Sequence, residues 1–208
     1  EGKVKKHQVR FPEGGTVQEL ARLLAAEGLA KAEEVMGLAG YPSFLRSLGI
    51  EAESLEGYLF PDTYHFIKGM TTEEMLARMV LRLREQLTPD ILARAEARGL
   101  TLHQLLTLAS IIEKEAVVPQ EQPLISAVFW NRLRRAMPLQ ADPTVQYAVG
   151  KDRRALSRAN LQVNSPFNTY RFPGLPPAPI ASPGKAAILA AIEPANAPYL
   201  YFVSTGGD

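Results

Sequence analysis

Among the residues of this sequence that could move a proton, Glu113 has the least ordinary setting. Thr101 to Ala116 reads TLHQLLTLASIIEKEA, and Thr101 with Gln104 three residues on is the start of a capping box. Leu102, Leu105, Leu106, Leu108, Ala109, Ile112 and Ala116 recur behind it at helical spacing. On a wheel of about 100° per residue, His103, Gln104, Thr107, Ser110, Lys114 and Glu115 share a polar arc broken only by Ile111. Glu113 projects instead between Leu102 and Leu106, about 60° from the middle of the apolar face. Glu is almost never fully buried without a partner. Low-dielectric surroundings disfavour the charged carboxylate and raise its pKa, which suits a general acid working near neutral pH. The pattern fits equally a core Glu paired with an Arg, or one that snorkels out past the last turn. Glu115 lies about 200° away and is poorly placed to act as a second carboxylate.

Other chemistries find less support. The three histidines (His7, His65, His103) show no metal-binding spacing, which argues against a catalytic zinc. With no cysteine there is no disulfide framework, thiolate metal site or Cys nucleophile. A net charge of +1 gives no reason to expect nucleic acid, and the only basic runs are Lys3 to Lys6 and Arg132 to Arg135. No apolar run approaches a membrane span or signal peptide, so the chain reads as soluble. A content of 46% hydrophobic and 22% charged residues is ordinary for a globular protein, and 208 residues can bury one core or two small ones.

The elements that must position Glu113 can be read from periodicity and punctuation. Val4 to Phe11 alternates as a strand, closed by Pro12-Glu13-Gly14-Gly15. Thr16 with Glu19 opens a helix that ends near Gly28, and Ala32 to Leu38 and Ser43 to Leu48 form two shorter ones. Leu55 to Tyr64 is aromatic-rich and extended, either a strand pair or a substrate-contacting stretch. Thr71 with Glu74 opens a helix to about Leu87, and Thr88-Pro89 opens another that stops at Gly99. After the Glu113 helix, one spans about Gln122 to Met137, with Trp130-Asn131-Arg132 setting hydrogen-bonding groups beside an aromatic. Asp142-Pro143 is an N-cap with proline at the first helical position, and Ser182-Pro183 starts the last helix. Tyr199 to Val203 reads as a strand. The fold class is α+β: a helix-rich catalytic domain with short strands (69–208), preceded by a small LysM-like α/β subdomain with its connecting strand segment (1–68).

Several stretches carry a resemblance. Glu56-Gly57-Tyr58-Leu59-Phe60-Pro61-Asp62-Thr63-Tyr64 and Ala109-Ser110-Ile111-Ile112-Glu113-Lys114-Glu115 resemble the MltG (YceG-like) endolytic murein transglycosylases. So do Asn131-Arg132-Leu133, Leu139 to Val145, Ser165 to Tyr170, Gly174 to Ile180 and Tyr199 to Val203, in order over nearly the whole chain. The resemblance implies lytic cleavage of the β-1,4 bond between N-acetylmuramic acid and N-acetylglucosamine, leaving a 1,6-anhydro end and terminating glycan elongation. It implies glycan strands of peptidoglycan as substrate and no cofactor or metal. Partners in the full-length protein could include cell-wall synthases, and that protein is expected at the cell membrane through a single-pass anchor absent from this chain, its catalytic domain outside the cytoplasm. The family's catalytic Glu is expected at Glu113. Two departures stand out. The family continues past the Tyr-Leu-Tyr-Phe-Val strand into a His-containing segment, which implies a C-terminally truncated chain here. Ala178 also stands where the family has Gly, a change of little weight if the backbone there has negative φ.

An ordinary glycosidase flanks the scissile bond with two carboxylates. A lytic enzyme needs one, because the sugar's own 6-hydroxyl replaces water: Glu113 would protonate the glycosidic oxygen, then take the 6-hydroxyl proton as that oxygen closes on C1. Oxocarbenium-like charge would be stabilised from the Asn168 or Gln140 loops. The cleft walls are expected from Leu139 to Thr144, Ser165 to Tyr170 and Gly174 to Ile180, with Glu56 to Tyr64 closing one end. The binding residues are then Gln140, Asp142, Thr144, Asn168, Thr169, Tyr170, Glu56 and Tyr58, unless the prolines only brace loops on the far side of the domain. A glycan-binding module without catalysis would not need an inward Glu113. A hydrolase would need a second carboxylate, Asp142 or Glu56, and a pyridoxal-phosphate lyase would need a Gly-rich phosphate loop that the sequence lacks.

Overall fold

The computed structural model describes residues 6–150 and 156–202. Chain contacts divide it into two compact units, Glu1–Thr88 with Ala181–Pro183, and Pro89–Ile180 with Gly184–Asp208. Val4 and Val203, where two expected strands begin and end, lie outside the described residues.

In the first unit β1 (Lys6–Phe11) pairs antiparallel with β2 (Asp62–Ile67), Val9 facing Tyr64 and Phe11 facing Asp62. The period-two alternation buries Val9, Phe11, Tyr64 and Phe66, and the Tyr64 and Phe66 rings stack at 5.6 Å. Between the strands come α1 (Val17–Ala26), α2 (Ala32–Ala39) and α3 (Pro42–Ser47). The extended stretch expected over Leu55 to Tyr64 is shorter than its aromatics suggest. Glu56–Tyr58 form a turn through Gly57 at φ 82°, and the strand begins only at Asp62. α4 (Thr72–Gln86) is opened by a capping box at Thr71 and Glu74, as α1 is at Thr16 and Glu19. The expected boundary at 68/69 puts α4 with the catalytic helices, whereas its contacts group it with the first unit. The Thr72 hydroxyl donates to Glu34 at 2.6 Å, and the Phe60 N–H donates to the Met79 carbonyl at 3.3 Å. Ala181–Pro183 join this unit through two backbone bonds, Gly14 N–H to Ser182 O at 2.9 Å and Ser182 N–H to Gly15 O at 2.8 Å.

The second unit is built around α6 (Leu102–Glu115), against which α5 (Pro89–Ala97), α7 (Gln122–Arg134), α8 (Asp142–Ala148) and α9 (Lys185–Ile192) all pack. The Thr101–Gln104 capping box starts α6 as the sequence expects. Its surface does not divide into an apolar face and a wet arc. Every residue from Leu105 to Ile112 is buried, including Thr107 and Ser110, while Leu102 is exposed. Cover on all sides makes this possible because the small hydroxyls bond back to their own helix, Thr107 to the His103 carbonyl at 2.7 Å and Ser110 to that of Thr107 at 2.8 Å. Two helix starts shift from expectation. α8 is capped at Ala141, so Asp142 is its first residue and its carboxylate is not used as the cap. α9 begins at Lys185 with Gly184 as its cap, because Ser182 is engaged with Gly14 and Gly15. Tyr199–Phe202 form no strand, and their backbone is held by side chains of α7 instead. Among the described residues no helix is long and apolar enough to cross a membrane.

Candidate active site

The last turn of α6 carries two glutamates, and the helix rotation of about 200° between them sends them to different neighbours. Glu113 is half-buried and faces the start of α9, where the Gly184 N–H donates to one carboxylate oxygen at 2.9 Å. Glu115, also half-buried, turns toward the start of α8, where the Asp142 backbone N–H donates to its carboxyl group. Burial pushes Glu115 up to about 7, and the nearby Asp142 charge pushes the same way, while the Asp142 N–H and the Arg132 charge oppose them.

Around Glu115 lie residues drawn from three further segments. The Tyr170 hydroxyl donates to the Asp142 carboxylate, and burial first, then that bond and charge, drive the phenol well above its ordinary range. Arg132 is buried on α7. Its Nε donates to the Leu200 carbonyl at 2.7 Å, its Nη1 to the Leu139 carbonyl, and its guanidinium lies 5.0 Å from the Tyr201 ring centre. Gln140 Oε1 is 3.5 Å from the same Nη1. Gln140 itself has φ 52°, a left-handed turn rare outside glycine, and its N–H reaches the Thr169 carbonyl at 3.1 Å. Of the expected binding residues, the described contacts thus bring Gln140, Asp142 and Tyr170 together with Glu115.

Thr144, Asn168 and Thr169 are fully buried beneath this group. Asn168 spends its amide on the Leu161 and Val163 carbonyls at 3.0 and 2.9 Å and accepts from the Tyr170 N–H at 3.0 Å. Thr169 Oγ1 accepts from the Ala141 N–H at 3.0 Å and meets Thr144 Oγ1 at 2.9 Å. These side chains set the loop shape from below. The proline-rich segment is held along α6 in sequence order. His103 Nε2 meets the Pro177 carbonyl at 2.8 Å, Ser110 Oγ accepts from the Ile180 N–H at 3.0 Å, and Glu113 accepts from Gly184. Leu175, Pro176 and Pro177 line a groove of about 550 Å³ with Thr101, His103, Gln104, Thr107 and Leu133. Ala178 is outside the left-handed region, so its place in a Gly position needs no strained backbone. Glu56 and Tyr58 belong to the first unit. Glu56 is buried and accepts from the Val17 N–H at 3.1 and 3.3 Å, and burial pushes the Tyr58 phenol up to about 12.

Sequence reasoning set Glu115 aside as a second carboxylate and gave Arg132 no part in the site. Arg132 carried a signal, since Ile125, Val128 and Phe129 place it on an apolar helical stripe, the criterion that singled out Glu113. Glu115 carried none, because its cover comes from segments far along the chain.

The chain as a whole is similar to proteins already known. An endolytic murein transglycosylase of Bacillus subtilis is 33% identical over 211 residues, which cover 95% of this chain and 59% of that protein. One from Streptococcus pneumoniae is 34% identical over 219 residues, covering 93% of this chain and 40% of its own length. The chain therefore spans less than two thirds of either relative. The crystal structure of a YceG-like protein from Listeria monocytogenes superposes with a TM-score of 0.88 at 34% identity, over 98% of this chain and 72% of that one. The YceG-like family matches residues 1–208, the full length of the sequence, and the chain belongs to that family.

Proposed function

We propose that this chain is the catalytic part of an endolytic murein transglycosylase, cutting the β-1,4 bond between N-acetylmuramic acid and N-acetylglucosamine in peptidoglycan strands with formation of a 1,6-anhydro end. The observation that carries the chemistry is the half-buried Glu115, held near neutral beside Asp142 and Arg132. A group with that pKa is present in both forms at physiological pH, as an acid that must also act as a base requires. Protonated Glu115 gives its proton to the glycosidic oxygen as the C1–O bond breaks. The resulting carboxylate takes the proton of the 6-hydroxyl as O6 bonds to C1, which returns Glu115 to its starting form without consuming water. Glu113 is the competing assignment for the acid, and its contact with Gly184 also suits an anchor for α9.

The remaining expectations take their place around this centre. Gln140, Asp142 and Tyr170 form the wall nearest the acid, Thr144, Asn168 and Thr169 shape it from beneath, and Glu56 and Tyr58 belong to the glycan-facing part of the first unit. The order β1–α1–α2–α3–β2 with antiparallel strands supports a LysM-like, glycan-gripping reading of residues 1–68, ahead of a catalytic 69–208. In the full-length protein a membrane anchor would hold the catalytic domain outside the cytoplasm, within reach of cell-wall synthases. The test is mass spectrometry of purified murein strands incubated with the full-length protein. Anhydro ends lost in Glu115→Gln and kept in Glu113→Gln support the reading. Reducing ends indicate hydrolysis, no products indicate a binding module, and loss confined to Glu113→Gln returns the acid to Glu113.

A further inference from the structure

Asp142 serves two partners, one through its backbone N–H and one through its carboxylate. It is the first residue of α8 but does not cap it, and its chain direction is fixed before the helix starts. Gln140 turns through φ 52°, with its N–H on the Thr169 carbonyl, and the next N–H, that of Ala141, lands on Thr169 Oγ1. Those bonds deliver the Asp142 backbone N–H to Glu115 and the Asp142 side chain to the Tyr170 hydroxyl. Two acidic side chains are thereby held as neighbours by backbone geometry, where like charges repel.

We propose that Asp142 is a positioning residue for Glu115: its N–H fixes the Glu115 carboxyl group, while its own carboxylate, pinned by the Tyr170 hydroxyl, keeps that group in the acid form. This rests on the reading of Glu115 as the acid. Among the described residues, the charged and titratable groups facing Glu115 are Arg132 from α7, Asp142 from α8 and Tyr170 from the loop after Ser165, with Glu113 and Lys114 flanking it on its own helix. Arg132 is the one cation among the three facing groups, and its guanidinium is shared with the carbonyls of Leu139 and Leu200 and the face of Tyr201. Asp142 offsets what remains of its pull. Without the Asp142 charge, burial alone opposes Arg132 and the Asp142 N–H, and Glu115 gives up its proton at lower pH.

The experiment is a pH–rate profile of murein-strand cleavage by the full-length protein, with the Glu115 carboxyl followed by carbon-13 NMR in the same variants. In Asp142→Asn, which keeps the backbone N–H and side-chain shape, the alkaline limb and the Glu115 titration both move down by about one pH unit. Tyr170→Phe moves both in the same direction by less, since the Asp142 carboxylate stays but is no longer pinned. Thermal unfolding of each variant identifies any loss that is only structural. An alkaline limb and a Glu115 titration that stay in place in Asp142→Asn overturn the inference, whatever happens to the maximal rate. Failure of the underlying reading looks different: Glu115→Gln then cleaves strands at the wild-type rate.

Discussion

The Gly184 N–H donates to a carboxylate oxygen of Glu113 at 2.9 Å, and Gly184 is the residue from which α9 sets out. One acidic side chain at the end of a buried helix thus fixes where another helix begins. A carboxylate at a helix N-terminus is a favourable pairing of acceptor with unsatisfied backbone donors. Glu113→Ala is expected to lower stability by about 1–2 kcal/mol, the usual cost of losing a helix-start acceptor. Glu113→Gln retains an oxygen there and loses less than half as much. Urea midpoints of the two variants measure the difference, and equal midpoints would mean that the contact contributes nothing.

Glu115 should make stability depend on pH in a definite sense. Its carboxyl is raised from 4.5 to about 7, so between those values the folded chain holds a proton that the unfolded chain has released. The associated stability is fully present below 4.5 and is lost as pH rises through 7. Relative to Glu115→Gln, the wild type should lose about 1–3 kcal/mol between roughly pH 5 and pH 8. Urea unfolding of both proteins at the two pH values is the measurement, and parallel behaviour would show that Glu115 titrates as an ordinary Glu.

Arg132 should resist conservative replacement. Its planar fork reaches the Leu139 and Leu200 carbonyls at once, and a lysine ammonium cannot span both. Arg132→Lys is expected to cost about 2–4 kcal/mol, because a charge stays buried with fewer partners. The neighbouring Asn131 donates to the Ala197 and Tyr199 carbonyls at 2.8 and 2.7 Å. Asn131→Ala should therefore speed proteolysis around Ala197–Tyr199 more than elsewhere, which limited digestion followed by mass mapping would reveal.

Thr169→Val tests whether the buried hydroxyls shape the loop or touch substrate. Valine fills the same space but strands the Ala141 N–H, for an expected cost of about 1–3 kcal/mol. The change should appear in the unfolding midpoint with KM for murein strands little altered. A large rise in KM at unchanged stability would make Thr169 a contact residue.

Much of the scaffold was legible because its signals are local. All three Thr-x-x-Glu/Gln boxes cap the helices they announce, at Thr16, Thr71 and Thr101. Periodicity found α6 and its neighbours for the same reason. What periodicity could not reach was cover supplied from elsewhere in the chain. Thr107 and Ser110 looked wet on the wheel, yet they are sealed by segments whose positions no local pattern encodes. Glu113 stood out by its phase on an isolated helix, whereas the setting of Glu115 depends on Asp142 and Arg132. The helix expected from Ser182-Pro183 starts two residues later, at Lys185 with Gly184 as cap, because Ser182 pairs with Gly14 and Gly15, a contact between distant parts of the sequence. Tyr199–Phe202 have the composition of a strand but meet side chains of α7 in place of a strand partner.

The anchoring of Pro177, Ile180 and Gly184 along α6 has a consequence for alignment errors. Between Pro176 and Ile180 the nitrogens that carry hydrogen are those of Ala178 and Ile180, since the other three are prolines. If the segment slipped one residue along the helix, Ser110 would face the Pro179 nitrogen, which has nothing to donate. The same slip would set Glu113 against the Pro183 nitrogen, which likewise has nothing to donate. The prolines thus work like missing teeth on a key: a seating one residue off in that direction forfeits both bonds outright instead of trading each for a neighbour.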